Sequence, residues 1–164
     1  MPILDAHTFE FLSRSAEQTR RLGTRLGSLL QPGDLICLSG DLGSGKTTLV
    51  QGIAQGWGSL DAVSSPSFVL INEYRRPGGQ ILYHMDAYRL RDALEAEDLD
   101  LISIMEHGAL VLEWADRIRS ILPPERMWVE LRWVAEEQRG MVFRVFGPRY
   151  EALLNGFRQK AFGG

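Results

Sequence analysis

Residues Asp34 to Thr48 read DLICLSGDLGSGKTT, and the fold turns on them. Leu35 to Leu38 is a short apolar run of the kind that forms a buried strand. It leads directly into Gly40-Asp41-Leu42-Gly43-Ser44-Gly45-Lys46-Thr47, an uninterrupted match to G-x-x-x-x-G-K-S/T. Beyond it, Leu49, Val50, Ile53, Ala54 and Trp57 recur at helical spacing, so a strand, a loop and a helix follow one another. Gly40, Gly43 and Gly45 permit positive φ, which lets successive backbone N–H groups turn inward as an anion-binding nest. The positive end of the following helix dipole points at the same place. Lys46 then bridges the outer phosphates of a nucleotide and the Thr47 hydroxyl ligates Mg²⁺. The plain alternative is a glycine-rich turn before an ordinary helix; average composition gives a chance match odds of roughly half a percent. The chain has only two lysines, Lys46 and Lys160, yet lysine stands at the phosphate position.

Outward from this stretch, composition sets bounds. A chain of 164 residues suits one domain, 1–164, large enough for a real core. Apolar and charged fractions are those of an ordinary globular protein, and the net charge of −3 gives no overall attraction for nucleic acid. Cys37 is the only cysteine, so an intramolecular disulfide and a zinc cage are excluded; its place in the apolar strand predicts a packed thiol. No leader-like segment or membrane-length apolar run is seen, and a cytoplasmic protein is expected.

Along the chain, Phe9 and Phe11 alternate with polar residues as an edge strand. Ser15-Ala16-Glu17-Gln18 has capping-box form and opens a helix with the stripe Leu22, Leu26, Leu29 and Leu30; Arg20, Arg21 and Arg25 lie off it. Gln31-Pro32-Gly33 breaks this helix, and Gly56 with Gly58 is expected to end the next. Ser64-Ser65-Pro66-Ser67-Phe68 is a constrained polar loop, at a place where phosphate-loop proteins keep nucleotide-sensing switches. Phe68–Tyr74 and Gln80–Met85 read as two strands joined by Arg75-Arg76-Pro77-Gly78-Gly79. Leu82, His84 and Asp86 share a face of the second strand, and a lone histidine there is ordinarily structural. Tyr88–Leu101 reads as an exposed acidic helix with Leu90, Leu94 and Leu99 inward, followed by the apolar Ile102–Glu106 and a stop at His107-Gly108. Ala109–Leu112 runs apolar into Glu113; such a carboxylate either organises a metal at a phosphate-loop site or caps the next helix. Arg126–Val134 and Met141–Phe146 alternate as strands around a Glu136–Gly140 turn, and Arg149–Phe162 closes the chain as a helix.

Four stretches together resemble one family. GDLGSGKTT (40–48), VSSPSFVLINEY (63–74), LYHMDAYRL (82–90) and VLEWADR (111–117) are similar, in order, to the GDLGAGKTT, S-P-T-F/Y, H-x-D-x-Y-R and E-W patterns of the TsaE (YjeE) proteins. The first block says only P-loop; His84, Asp86, Tyr88 and Arg89 with Glu113-Trp114 make the likeness specific, over about residues 15–120. The resemblance implies a bacterial ATP-binding protein that hydrolyses ATP slowly in tRNA threonylcarbamoyladenosine synthesis. It implies TsaB and TsaD as partners, contact with tRNA only through their complex, and a monomer in isolation. It places Gly40, Asp41, Leu42, Gly43, Ser44, Gly45, Lys46, Thr47 and Thr48 around the phosphates, with Thr47 and Glu113 near Mg²⁺. Asp86 becomes the second acid, Ser65–Phe68 the switch, Arg139 a cation near the nucleotide, and the Ser15–Thr19 helix start the neighbour of adenine. Ser44 and Ser67 replace the usual Ala and Thr; a backbone nest tolerates the first and the second keeps its hydroxyl.

The expectation is a three-layer α/β P-loop fold with a mixed sheet of about seven strands. Water attacks the γ-phosphate of Mg-ATP, with Lys46, Asp86 and Glu113 as the catalytic side chains. A small-molecule kinase shares the phosphate loop but needs an acceptor pocket and an arginine-rich lid. A non-hydrolysing nucleotide-gated scaffold has no use for two acids.

Overall fold

The computed structural model describes residues 6–63, 71–88 and 100–162. Seven strands form one mixed sheet: β1 (Thr8–Ser13), β2 (Leu35–Ser39), β3 (Ile71–Arg75), β4 (Ile81–Asp86), β5 (Gly108–Glu113), β6 (Arg126–Trp133) and β7 (Arg139–Phe146). Their order across the sheet is β1-β7-β6-β2-β5-β4-β3. The central strands β6, β2, β5 and β4 run parallel, while β3, β7 and β1 pair antiparallel at the two flanks. The helices are α1 (Ala16–Gly27), α2 (Lys46–Trp57), α3 (Leu101–His107) and α4 (Pro148–Phe162), with a 3-10 helix over Ala115–Ile121.

The period of two in each strand explains the three layers. In β2, Ile36 and Leu38 face a core built with Leu22, Leu26, Leu49, Ile53, Trp57 and Phe157 of α1, α2 and α4. Leu35 and Cys37 face the opposite core, closed by Leu101, Ala115 and Ile118. Because β2 and β5 are buried on both faces, every residue of each is buried, and they read as continuous apolar runs rather than as alternation. Burial pushes the Cys37 thiol up to about 12, so it is a packing group and not a nucleophile at neutral pH.

The N-terminal helix begins as its sequence predicts: Ser15 Oγ accepts from Gln18 N at 3.0 Å, and Gln18 Oε1 accepts from Arg14 N at 2.7 Å. Several boundaries differ from expectation. Gly58 alone ends α2, in the left-handed region at φ 94°, whereas Gly56 lies inside the helix. Gly56 is there for packing: a Cβ would run into the carbonyl oxygen of Thr24 in α1. Gly23, Gly27 and Gly52 meet the opposite helix's backbone in the same way, so four glycines let α1 and α2 lie backbone against backbone. Ile102 to Glu106 is part of helix α3, capped by Asp100; the helix stops at His107-Gly108 as expected, and Gly108, its C-cap, also opens β5. The β6–β7 turn is tighter than expected, because Arg139 and Gly140 already pair with Trp133 and Arg132. The Ser64–Phe68 loop, Arg89, and the predicted acidic helix with Leu90, Leu94 and Leu99 lie outside the described residues, as does the start of the strand predicted from Phe68.

Candidate functional site

Gly40 to Gly45 join the end of β2 to the start of α2, at the carboxyl edge of the parallel strands, where α/β sheets bind ligands. Gly40, Gly43 and Gly45 take φ of 143°, 80° and 101°, the conformations a nest requires. Leu131 of β6 crowds Gly40 so closely that no Cβ would fit. Around this loop lies a cavity of about 380 Å³ lined by Leu42, Gly43, Ser44, Gly45, Lys46, Thr47, Thr48, Asp86, Glu113, Trp114 and Arg139. The Lys46 ammonium donates to the carbonyls of Gly40 and Asp41 and, at 3.3 Å, to Ser44 Oγ. Its Nζ lies 4.2 Å from the Trp114 ring centroid. Burial lowers the Lys46 pKa, and the charges of Glu113, Asp86, Asp116 and Asp41 act against that shift.

The two acids come from neighbouring parallel strands, for Asp86 and Glu113 are register partners at the ends of β4 and β5. Burial raises the Asp86 pKa; the Tyr88 N–H bond to its Oδ1 at 2.8 Å opposes the shift, and the Glu113 charge adds to it. Glu113 does not cap the following 3-10 helix, whose N-cap is Trp114 in the left-handed region at φ 58°. Instead its Oε2 lies 2.5 Å from His84 Nε2, while His84 Nδ1 lies 2.9 Å from the Tyr74 hydroxyl.

Arg139 reaches the site from β7. Its Nε donates to Gly43 O at 3.0 Å, and its Nη1 donates to Ala135 O and Gln138 O, each at 2.9 Å. The guanidinium thus ties the β6–β7 hairpin to the phosphate loop. Gly40 and Asp41 do not line this cavity; they line a neighbouring one of about 620 Å³ with Arg119, Arg126 and Trp128. Nor do Ser15–Thr19 line the loop cavity; Ser13 and Thr19 hydroxyls bond each other at 2.7 Å instead.

The donors suit a metal that arrives with a nucleotide. Among the described residues no group of three or more His, Cys, Asp or Glu is placed to hold an ion by itself. Mg²⁺ needs fewer protein ligands, since phosphate and water oxygens complete its octahedron. Thr47 and Glu113, both on the cavity wall, fit that requirement. Sequence reasoning missed Trp114 as the cover of Lys46, Tyr74 as a partner of His84, and His84 as the holder of Glu113. For the last, the detectable pattern was two strands each ending in an acid, with a histidine two residues before one of them.

Comparison with known proteins agrees with this arrangement. The family model "Threonylcarbamoyl adenosine biosynthesis protein TsaE" matches residues 13–141. The chain is 40% identical over 138 residues to the tRNA threonylcarbamoyladenosine biosynthesis protein TsaE of Bacillus subtilis, covering 84% of this chain and 85% of that one. It is 48% identical over 137 residues to the protein of the same name from Streptomyces coelicolor, covering 80% and 93%. The crystal structure of Bacillus subtilis YdiB superposes with a TM-score of 0.77 at 31% identity, over 93% of this chain and 95% of that one. With most of its length matched, and with the phosphate loop, the two strand-end acids and the mixed seven-stranded sheet in place, the chain belongs to the TsaE family.

Proposed function

We propose that the chain binds Mg-ATP at the cavity beside the phosphate loop and hydrolyses it slowly in the service of tRNA threonylcarbamoyladenosine synthesis. The observation that carries this reading is the convergence of the loop, Lys46, Asp86, Glu113 and Arg139 on one cavity of about 380 Å³. The relatives' names supply the pathway, and the family resemblance supplies TsaB and TsaD as the partners and the tRNA as a target reached through them. No helix among the described residues is long and apolar enough to cross a membrane.

The backbone N–H groups of Leu42 to Thr48, which line the cavity, hold the phosphates, and Lys46 adds a cation to their outer oxygens. Thr47 and Glu113 hold Mg²⁺, which when bound neutralises charge building on the transferred phosphoryl group. Asp86, on the cavity wall at the end of β4, accepts a hydrogen bond from the attacking water and orients it on this reading. Among the described residues, Arg139 is the one cation besides Lys46 on the cavity wall. It is bound to four backbone carbonyls, so it fixes the loop rather than serving as a free arginine finger. An arginine finger is worth roughly 10³–10⁵ in rate in other P-loop enzymes. This supports slow turnover in isolation and acceleration by the partners, as the family resemblance implies.

The test is phosphate release from ATP by the purified chain, alone and with TsaB and TsaD, beside the Lys46→Ala protein. Turnover that rises with the partners and vanishes in the variant is expected. Wild-type turnover and ATP affinity in a folded Lys46→Ala protein would reject the site.

A further inference from the structure

The hydrogen-bonded line Tyr74–His84–Glu113 runs from near the sheet edge to the wall of the loop cavity, and the reading above leaves its first two members unused. All three residues are buried, His84 completely and Glu113 to 3% exposure. Their donors and acceptors assign themselves in one direction. An ionised Glu113 carboxylate only accepts, so His84 Nε2–H donates to Oε2 at 2.5 Å. In the tautomer with its proton on Nε2, Nδ1 is an acceptor and takes the Tyr74 O–H at 2.9 Å. Every ring nitrogen is satisfied, as buried polar groups require. A carboxylate at the end of a two-bond line has little freedom to turn. With Oε2 engaged, Oε1 is the oxygen left for a ligand in the cavity that Glu113 lines.

We propose that His84, backed by Tyr74, is a positioning residue for Glu113. The imidazole holds one carboxylate oxygen so that the other meets the nucleotide's Mg²⁺ without reorganisation, and Tyr74 selects the tautomer that can do so. The inference rests on the Mg-ATP reading of the site. Neither residue touches the nucleotide; both act through Glu113, as hydrogen-bonded supports of metal ligands do elsewhere. Tyr74 belongs to β3, the last strand in the sheet order, so the support of the metal acid is built across two strands of the sheet.

The experiment titrates Mg²⁺ into the ADP-loaded protein by calorimetry and measures ADP affinity separately in EDTA. His84→Ala is expected to weaken Mg²⁺ roughly 10–100-fold, the usual loss when a metal ligand's support is removed, with ADP affinity in EDTA preserved. His84→Gln, whose amide N–H reaches the place of Nε2, recovers most of the Mg²⁺ affinity. Tyr74→Phe, which keeps the ring and loses only the hydroxyl, gives a smaller loss in the same direction. If His84→Ala fails to fold, Tyr74→Phe and His84→Gln decide. Wild-type Mg²⁺ affinity in Tyr74→Phe together with no effect from folded His84 variants would overturn the proposal. Glu113→Gln separates this failure from that of the underlying reading. If Glu113→Gln loses Mg²⁺ affinity while His84 variants keep it, only the positioning role falls. If Glu113→Gln also binds Mg²⁺ normally, the metal site itself is wrongly placed.

Discussion

At the residue scale, the site is a set of charges held where burial works against them. Lys46 and Asp86 are both pushed toward their neutral forms by burial, while their mutual attraction acts the other way. For Asp86 the sign of the pH dependence follows. Its folded pKa lies above the ordinary 3.8, so its contribution to stability is fully present below that value and is lost as pH rises through the folded pKa. Asp86→Asn, which removes the charge, should therefore raise the Tm of the metal-free protein at pH 7. The gain should fade as pH falls through the raised folded pKa and be gone by the ordinary value of 3.8. A lower Tm at pH 7 would show that the ionised carboxylate stabilises the fold. Function should pull the other way. Asp86→Ala and Glu113→Ala are expected to lose far more kcat than ATP affinity, because on the proposed reading the backbone nest carries most of the phosphate binding. Steady-state kinetics beside equilibrium binding checks this, and normal turnover in either variant would return that residue to a purely structural role.

At the element scale, the phosphate loop depends on how α2 is seated. The helix begins at Lys46, so whatever fixes α2 also fixes the loop. The four glycines of the α1–α2 contact do this by removing side chains between the two backbones. Gly27→Ala is expected to destabilise the protein by about 1–3 kcal/mol through overpacking, a fall of about 2–4 °C in Tm for each kcal/mol. It should also weaken nucleotide binding, since α2 must move to admit the Cβ. Gly156→Ala is the control. In α4 its Cβ would meet only Leu29 side-chain carbons, the nearest at 3.7 Å, and helix propensity favours alanine by about 1 kcal/mol. Thermal melts of the two variants should therefore move in opposite directions. Equal behaviour would mean that the helices have room to separate without strain.

At the scale of the whole molecule, helix α4 near the end of the sequence is tied to the turn that precedes the central strand β2. Arg149 of α4 donates from Nε and Nη2 to the two carboxylate oxygens of Asp34 at 2.9 and 2.7 Å, and from Nη2 to Leu29 O at 3.2 Å. Asp34 is buried just before β2, so Arg149→Ala leaves its carboxylate without that partner. We expect a loss of about 1–3 kcal/mol, below the full cost of breaking a buried pair because Arg149 is partly exposed. Urea unfolding measures it, and a loss under about 0.5 kcal/mol would place the pair among ordinary surface bridges. Local sequence carried a good part of this architecture. The phosphate loop, the buried strand before it and the helix after it were legible because φ requirements, apolar runs and helical spacing are properties of neighbouring residues. Glu113 and Asp86 were legible as acids that end strands, and Arg139 only through likeness to a family. The rest needed contacts between residues far apart in the chain. Nothing near Gly56 announces that Thr24 lies against it, so the glycine reads as a helix end when it is a packing surface. His84 likewise has no local sign of its partner, 29 residues on. Only the parallel pairing of β4 with β5 brings its imidazole to Glu113. Local chemistry determined which groups could serve the site, and strand register decided which of them meet, because hydrogen-bond partners in a parallel sheet are set by the pairing of distant strands.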